Sequence, residues 1–306
     1  MLAPLCMDRL YPWILRTLGL VVPALVVALG WQLYQGAAAA RHAFGWGFVV
    51  GSSWDPVFNH FGAWPFIFGT LVTTAVAIVL AAPLGIGVAI FLAELAPNWL
   101  RGPVGYLVEL LAAVPSVVFG LWGLFVLAPW MRTDLEPWLI AHGHNFPLFR
   151  GAPYGLGFLA AGLVLAIMVT PFVVGMAREA IIAVPRVQRE AAYALGATRW
   201  ETIWQVVLPG ARSGIAGGVL LGMGRALGET IAVTMLIGNT PAVSASLLAP
   251  GYTLASVIAN EFTEATTALY TSALVEIGLV LFASTLVVNL IARLMIARLA
   301  AAGAAA

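Results

Sequence analysis

Glu190-Ala191-Ala192-Tyr193-Ala194-Leu195-Gly196, followed twelve residues after the glycine by Leu208-Pro209, is a charged insert between two long apolar runs. Pro185 suits a first helical position, where its missing N–H would be unpaired anyway. Arg186 to Leu195 contain no helix breaker, and Gly196 fits a left-handed helix stop. Thr198-Arg199-Trp200-Glu201 is a capping-box pattern in which Thr198 caps a second helix and Glu201 reaches back to it. On that helix Trp200, Ile203, Trp204 and Val207 fall at i, i+3, i+4 and i+7 and share one apolar face; Pro209 is expected to end it. Arg186, Arg189, Glu190, Arg199 and Glu201 take the water-facing sides. The spacing therefore predicts a helix, a glycine turn and a second helix over 185–209, lying at a membrane edge as a docking element. An ordinary amphipathic interfacial hairpin is the plainer alternative.

The rest of the chain is far more apolar than its insert. Hydrophobic residues make up 62% of the 306 and charged residues 9%, against roughly 25% charged in a soluble domain. This composition is that of an integral membrane protein. A net charge of +1 gives no argument for nucleic acid. Cys6 is the single cysteine, so no intrachain disulfide and no cysteine metal cluster can form. His142-Gly143-His144 has no cysteine partner and no Glu-x-x-His pattern beside it and reads as a loop. All fourteen basic residues are arginine. Without lysine the chain cannot carry the phosphate-binding lysine of a P-loop, and no segment is long enough for an ATP-binding domain.

A spanning helix needs about 20 mainly apolar residues. Six runs qualify, at 14–34, 66–93, 106–129, 155–177, 213–237 and 271–297, and predict an all-α, polytopic membrane protein with six transmembrane helices. With both termini inside, Arg9, Arg16, Arg101, Arg178, Arg186, Arg189, Arg199, Arg212, Arg293 and Arg298 are cytoplasmic; Arg41, Arg132 and Arg150 are outside. That arginine bias favours cytoplasmic termini and places the insert in the cytoplasm. The first run is longer than a signal-peptide core, although Ala37 to Ala40 resemble a cleavage region; it is expected to be a retained helix. Trp13, Trp31, Trp64, Trp99 and Trp130 stand near span ends and suit interfacial anchoring. The segments 35–65, 130–154 and 238–270 are expected to be external loops with short helices.

Charge inside the fifth run is the second functional signal. Gly210, Gly214, Gly218 and Gly222 repeat every four residues and make a smooth packing face. Arg225 and Glu229 are costly in a bilayer, at least about 2.5–3.5 kcal/mol for the arginine. At i and i+4 they are expected to share a helical face and pair, either to fix helix rotation or to line an anion pathway. Glu109 and Glu276 are further intramembrane carboxylates, for which a paired, structural role is expected.

Several stretches resemble the permease subunits of phosphate-specific ABC importers, the PstC-type subunit in particular. They are Trp54-Asp55-Pro56-Val57, Gly69-Thr70-Leu71, the run from Leu111 through Pro115-Ser116 to Gly120 and Gly123, and Gly224-Arg225-Ala226-Leu227-Gly228-Glu229-Thr230. The Glu-Ala-Ala insert resembles the EAA loop shared by many ABC importer permeases, with Val206 where isoleucine is commonest. The resemblance covers nearly the whole chain, least well over 130–154.

It implies a type I ABC importer permease fold with cytoplasmic coupling helices. Residues 1–65 would be an N-terminal helix with an external segment, 66–298 the permease core, and 299–306 a tail. It implies a bacterial inner-membrane protein working with a second permease subunit (PstA-type), an ATPase dimer (PstB-type) and an external phosphate-binding protein (PstS-type). Glu190, Ala191, Ala192, Gly196, Thr198, Glu201, Leu208 and Pro209 would couple to the ATPase, and Arg225, Glu229 and Thr230 would line the phosphate path. The resemblance implies no catalytic residue, no metal and no cofactor in this chain; ATP and Mg2+ would be used by the partner ATPase. Sulfate or molybdate as cargo is the nearest alternative. A lone secondary carrier would show an internal repeat with paired broken helices, and a membrane enzyme would need more than Asp134, His142 and His144.

Overall fold

The computed structural model describes residues 3–143 and 146–304. The side chains of Cys6, Arg9, Trp13 and Arg298, and His144 altogether, lie outside the described residues, as do the side chains of the tail. Six described helices are long and apolar enough to cross a membrane, and are numbered here as spans: Ile14–Gly36, Trp64–Leu95, Ser116–His142, Phe158–Ile182, Arg199–Leu227 and Ala268–Ala297. Each expected apolar run overlaps one of them. Two runs, the third and the fifth, are cut differently from the expectation.

The run at 106–129 belongs to two helices. Asn98–Ala113 is an amphipathic helix of its own, and Val114 and Pro115 are extended, with ψ of 127° and 143°. Proline lacks an amide donor and disfavours helical backbone in the residue before it, so an unbroken apolar run still breaks there. Glu109 is consequently exposed on Asn98–Ala113, outside the spans. Span 3 starts at Ser116 and continues to His142, through residues expected to be loop. Glu136, buried near its end, accepts a 2.9 Å hydrogen bond from the Gly155 amide and ties the following loop back onto the span. His142 stacks on Trp138, with ring centroids 4.8 Å apart.

The fifth run, expected at 213–237, ends at Leu227. Gly228 has φ −97° and ψ 0°, and a separate short helix, Ile231–Leu236, follows. At its other end span 5 reaches back to Arg199, through the proline that was expected to stop it. Pro209 is the second residue of the α-helical stretch Leu208–Leu227, immediately after a π-helical turn at Ile203–Val207. A proline in the first turn of such a stretch removes a donor that is not required there.

Span 4 lies between spans 2 and 5, span 5 packs on span 6, and span 6 on span 1. Span 5 approaches span 4 through the glycine stripe. A Cβ at Gly218 would stand 2.8 Å from Met176 Cβ, and one at Gly222 2.6 Å from Val169 Cγ1. Glycine is required at both for the backbones to come this close. Trp31, Trp64 and Trp99 are exposed near helix ends, whereas Trp130, expected near a span end, is exposed in the middle of span 3, because that span runs on to His142.

At the end away from the insert, residues 38–64 fold into short helices and a two-residue antiparallel pairing of Trp54 with Phe61 and Asp55 with His60. Trp54, Phe61, Phe66, Tyr252 and Tyr270 form an aromatic cluster under this cap. The Trp54 Nε1–H and the Tyr270 hydroxyl both donate to Glu261 Oε2, at 2.7 and 2.6 Å, so the cap is pinned to the helix Leu254–Glu261 and to span 6. Burial pushes the Tyr252 hydroxyl up to about 12, and it stays a neutral acceptor for Asn260 Nδ2 at 2.9 Å. Glu276, in span 6, is 5% exposed and its Oε2 has no hydrogen-bond partner, against the paired role expected of it.

Candidate functional site: a docking hairpin and a broken helix

The insert folds as a hairpin. Its first helix is Arg186–Ala194, with Pro185 as the N-cap residue just outside it (φ −59°, ψ 137°), one position earlier than expected. Gly196 has φ +88°, a conformation that favours glycine. The Gly196 amide donates to the Tyr193 carbonyl at 3.0 Å and the Ala197 amide to the Ala192 carbonyl at 3.1 Å, the nested pair of a Schellman stop. Two residues later the capping box forms. Thr198 Oγ1 accepts from the Glu201 amide at 3.3 Å, and Glu201 Oε2 accepts from the Thr198 amide at 2.7 Å. Turn and cap together fix the angle between the two helices.

The caps predict a measurable cost. Thr198→Ala removes the side-chain acceptor and is expected to destabilise the hairpin by about 1 kcal/mol, read as a lower apparent Tm of the purified protein. Thr198→Ser keeps the oxygen and should restore most of it.

The apolar face expected on the second helix is divided. Ile203 and Val207 are 1% and 0% exposed and join Ile90, Ile181 and Val184 in a core between spans 2, 4 and 5. Trp200 and Trp204 point outward, about half exposed, with ring centroids 5.8 Å apart at 73°. Glu190, Ala191, Gly196, Thr198, Glu201 and Pro209 are exposed, Leu208 is half-buried and Ala192 is buried. Between the two helices lies a cleft of about 610 Å³ lined by Gln188, Ala191, Leu195, Gly196, Glu201 and Gln205. Leu195 is 89% exposed at its rim and Val187 is 73% exposed on the first helix. Large apolar side chains displayed on an otherwise polar helix mark an interaction surface, suited to a partner protein or to the membrane edge.

Arg189 does not face water, as its place in the helical pattern suggests. Its Nη2 lies 2.8 Å from Glu94 Oε1, and this is the one ion pair among the described residues. Glu94 sits in a π-helical turn, Phe91–Leu95, at the end of span 2. No sequence signal links it to Arg189, because the two residues are 95 positions apart.

The second constellation lies where span 5 ends. Arg225 is in the last turn of the helix, exposed in the single chain, with Cζ 4.5 Å above the Phe172 ring of span 4. A cation there is favoured by the helix dipole. Glu229 and Thr230 lie beyond the helix end, both half-buried. The expected Arg225–Glu229 pair is absent among the described residues, because the helix stops at Leu227 and the i, i+4 relation no longer holds. Thr230 Oγ1 donates to the Gly228 carbonyl at 3.3 Å, and the Thr230 carbonyl receives the Thr234 hydroxyl at 2.8 Å. Non-helical backbone at membrane depth is tolerated where it is buried in protein or lines a watery cavity. Arg225, Glu229 and Thr230 thus flank one helix break in sequence, a cation before it and a carboxylate and a hydroxyl after it, without a contact between Arg225 and Glu229.

Residues 85–301 match the family of binding-protein-dependent transport system inner membrane components. The chain is 47% identical over 296 residues to the phosphate transport system permease protein PstC of Mesorhizobium japonicum, covering 95% of this chain and 90% of that protein. Identity to PstC of Xylella fastidiosa is 49% over 278 residues, covering 90% and 86%. For the probable PstC of Methanocaldococcus jannaschii it is 39% over 272 residues, covering 87% and 86%. Among solved structures, a bacterial alginate ABC transporter in complex with an alginate pentasaccharide-bound periplasmic protein superposes with a TM-score of 0.61. That likeness covers 94% of this chain and 95% of the other at 18% identity. The inward-facing MetNI methionine ABC transporter gives 0.57 over 81% and 99% at 17% identity. At such identities what is shared is the fold, that of ABC importer permeases.

Proposed function

This chain belongs to the binding-protein-dependent transport system inner membrane component family, and on that footing we propose that it is the permease subunit of an ATP-driven importer of inorganic phosphate. The observation that carries the cargo is near-half identity, along almost the full length, to proteins named as phosphate transport permeases. The hairpin 185–209 is its cytoplasmic coupling element. Glu190, Ala191, Ala192, Gly196, Thr198, Glu201, Leu208 and Pro209 form or support the surface that receives a separate ATPase, which uses ATP and Mg2+. Both termini are cytoplasmic, as the arginine distribution favours. Residues 66–298 form the permease core, and residues 1–65 add a span and an external cap. The partners are a second, PstA-type permease, a PstB-type ATPase dimer and a PstS-type binding protein.

In this reading Arg225 supplies charge-assisted donors to a tetrahedral oxyanion. Glu229 accepts the hydrogen bond of protonated phosphate, which sulfate lacks. The test is uptake into proteoliposomes holding the four-component complex, with ATP inside and the binding protein outside. ATP-dependent uptake of phosphate and not sulfate is expected, and Glu229→Gln should relax that preference. Uptake of sulfate alone overturns the cargo; an unchanged preference in the variant moves discrimination to the binding protein.

A further inference from the structure

We infer that Arg189 and Glu94 are positioning residues that lock the docking hairpin to spans 2 and 4, so that force applied to the hairpin moves both spans as one body. This rests on the docking reading above. Arg189 fills its guanidinium with bonds to three different elements. Nε and Nη2 donate to Glu94 Oε1 at 3.1 and 2.8 Å, at the end of span 2. Nη2 also donates to the Ile181 carbonyl at 2.7 Å, in the last turn of span 4, and Nη1 donates to the Val184 carbonyl in the connection leaving it.

Both side chains are largely shielded, at 14% and 13% exposure, so the pair is screened less than a surface pair would be. Arginine suits the place because its planar fork serves several acceptors at once and always stays charged. The Ile181 carbonyl already receives the Val184 amide at 3.3 Å, so the guanidinium is a second donor to it, while the Val184 carbonyl lies in the connection past the helix end. The backbone is shaped to permit the contact. Span 2 closes in a π-helical turn over residues 91–95, and such insertions shift the side chains that follow out of regular α register. Beneath the pair, Ile90, Ile181, Val184, Ile203 and Val207 pack as one apolar cluster, which gives the linkage a solid base.

The remaining connection is weaker. The chain links the first helix of the hairpin to span 4 through only Ala183, Val184 and Pro185, and the turn at Gly196 that leads on to the packed second helix is exposed. Without the arginine clamp, a push on Arg186–Ala194 could be absorbed by that short connection.

The experiment uses the assembled transporter with Cys6→Ser and spin labels at Ala194→Cys on the hairpin and Leu84→Cys on span 2, both exposed positions. Distances are measured with and without a non-hydrolysable ATP analogue. The expected result is one distance that ATP shifts by less than about 2 Å. In Glu94→Gln a second, ATP-dependent population should appear, and phosphate taken up per ATP hydrolysed should fall about tenfold. Glu94→Asp, which keeps the charge, should recover much of the loss; a merely space-filling role would show no such rescue. An ATP-dependent distance in the unsubstituted pair overturns the clamp, and so does full coupling in Glu94→Gln. Absence of phosphate uptake by the unsubstituted complex bears on the cargo alone, because the distance readout needs none.

Discussion

Arg225→Gln is expected to lower ATP-driven phosphate uptake about a hundredfold, while the variant still assembles with its partner permease and ATPase. The size follows from the proposed role, in which the variant loses charge-assisted hydrogen bonds to the anion worth about 1.5–3 kcal/mol each. Arg225 is well placed for this role. It holds the face of Phe172 at 4.5 Å and has no carboxylate partner among the described residues. Its charge is thus supported by the helix end and an aromatic face and is not neutralised internally. Arg225→Lys keeps a positive charge but loses the planar fork, so a smaller loss, near tenfold, is expected. Uptake and co-purification measured side by side separate a transport defect from an assembly defect. Normal uptake by Arg225→Gln, with assembly intact, would remove span 5 from the anion path.

The six spans were legible because hydropathy integrates over about 20 residues, and a bilayer imposes that length on any helix crossing it. The hairpin was legible for a different reason. Gly196 and the Thr198–Glu201 box are local devices, written in four to seven adjacent residues, and local devices survive without tertiary information. What failed was whatever depends on where an apolar run changes direction. Hydropathy is blind to a turn inside a run, so the breaks at Pro115 and Gly228 were both read through, and the ion pair expected between Arg225 and Glu229 went with the second. Pro209 failed in the opposite sense. It was read as a stop, whereas the π-helical turn before it lets the helix continue. The Glu94–Arg189 pair illustrates the deeper limit. Each residue alone looks like an ordinary charge at a span end, and only the packing of spans 2 and 4 brings them together.

Placing alanine at Gly214, Gly218 and Gly222 together is expected to abolish accumulation of the folded protein, while Gly217→Ala is expected to be tolerated or to stabilise. The contrast comes from one helix and one substitution, so intrinsic helix propensity cannot explain it. Alanine is favoured over glycine within a helix by about 1 kcal/mol, and at Gly217 nothing lies within 4 Å of the added methyl. At Gly214 the new Cβ would collide with Ala180 Cβ; at Gly218 it would lie 2.8 Å from Met176 Cβ, and at Gly222 2.6 Å from Val169 Cγ1. The first two obstacles are Cβ atoms, fixed to the backbone of span 4, so no rotamer change relieves them, and the third is a stiff β-branched side chain. Each overpacked site costs about 1–3 kcal/mol. Three on one face sum to about 5 kcal/mol, comparable with the whole stability of a typical domain. The readout is the yield of monodisperse protein after detergent extraction, with the apparent Tm of whatever survives. A triple variant that extracts and melts like the parent would mean that spans 4 and 5 are not held at this separation. The glycine stripe would then have to serve the partner subunit or the passage itself.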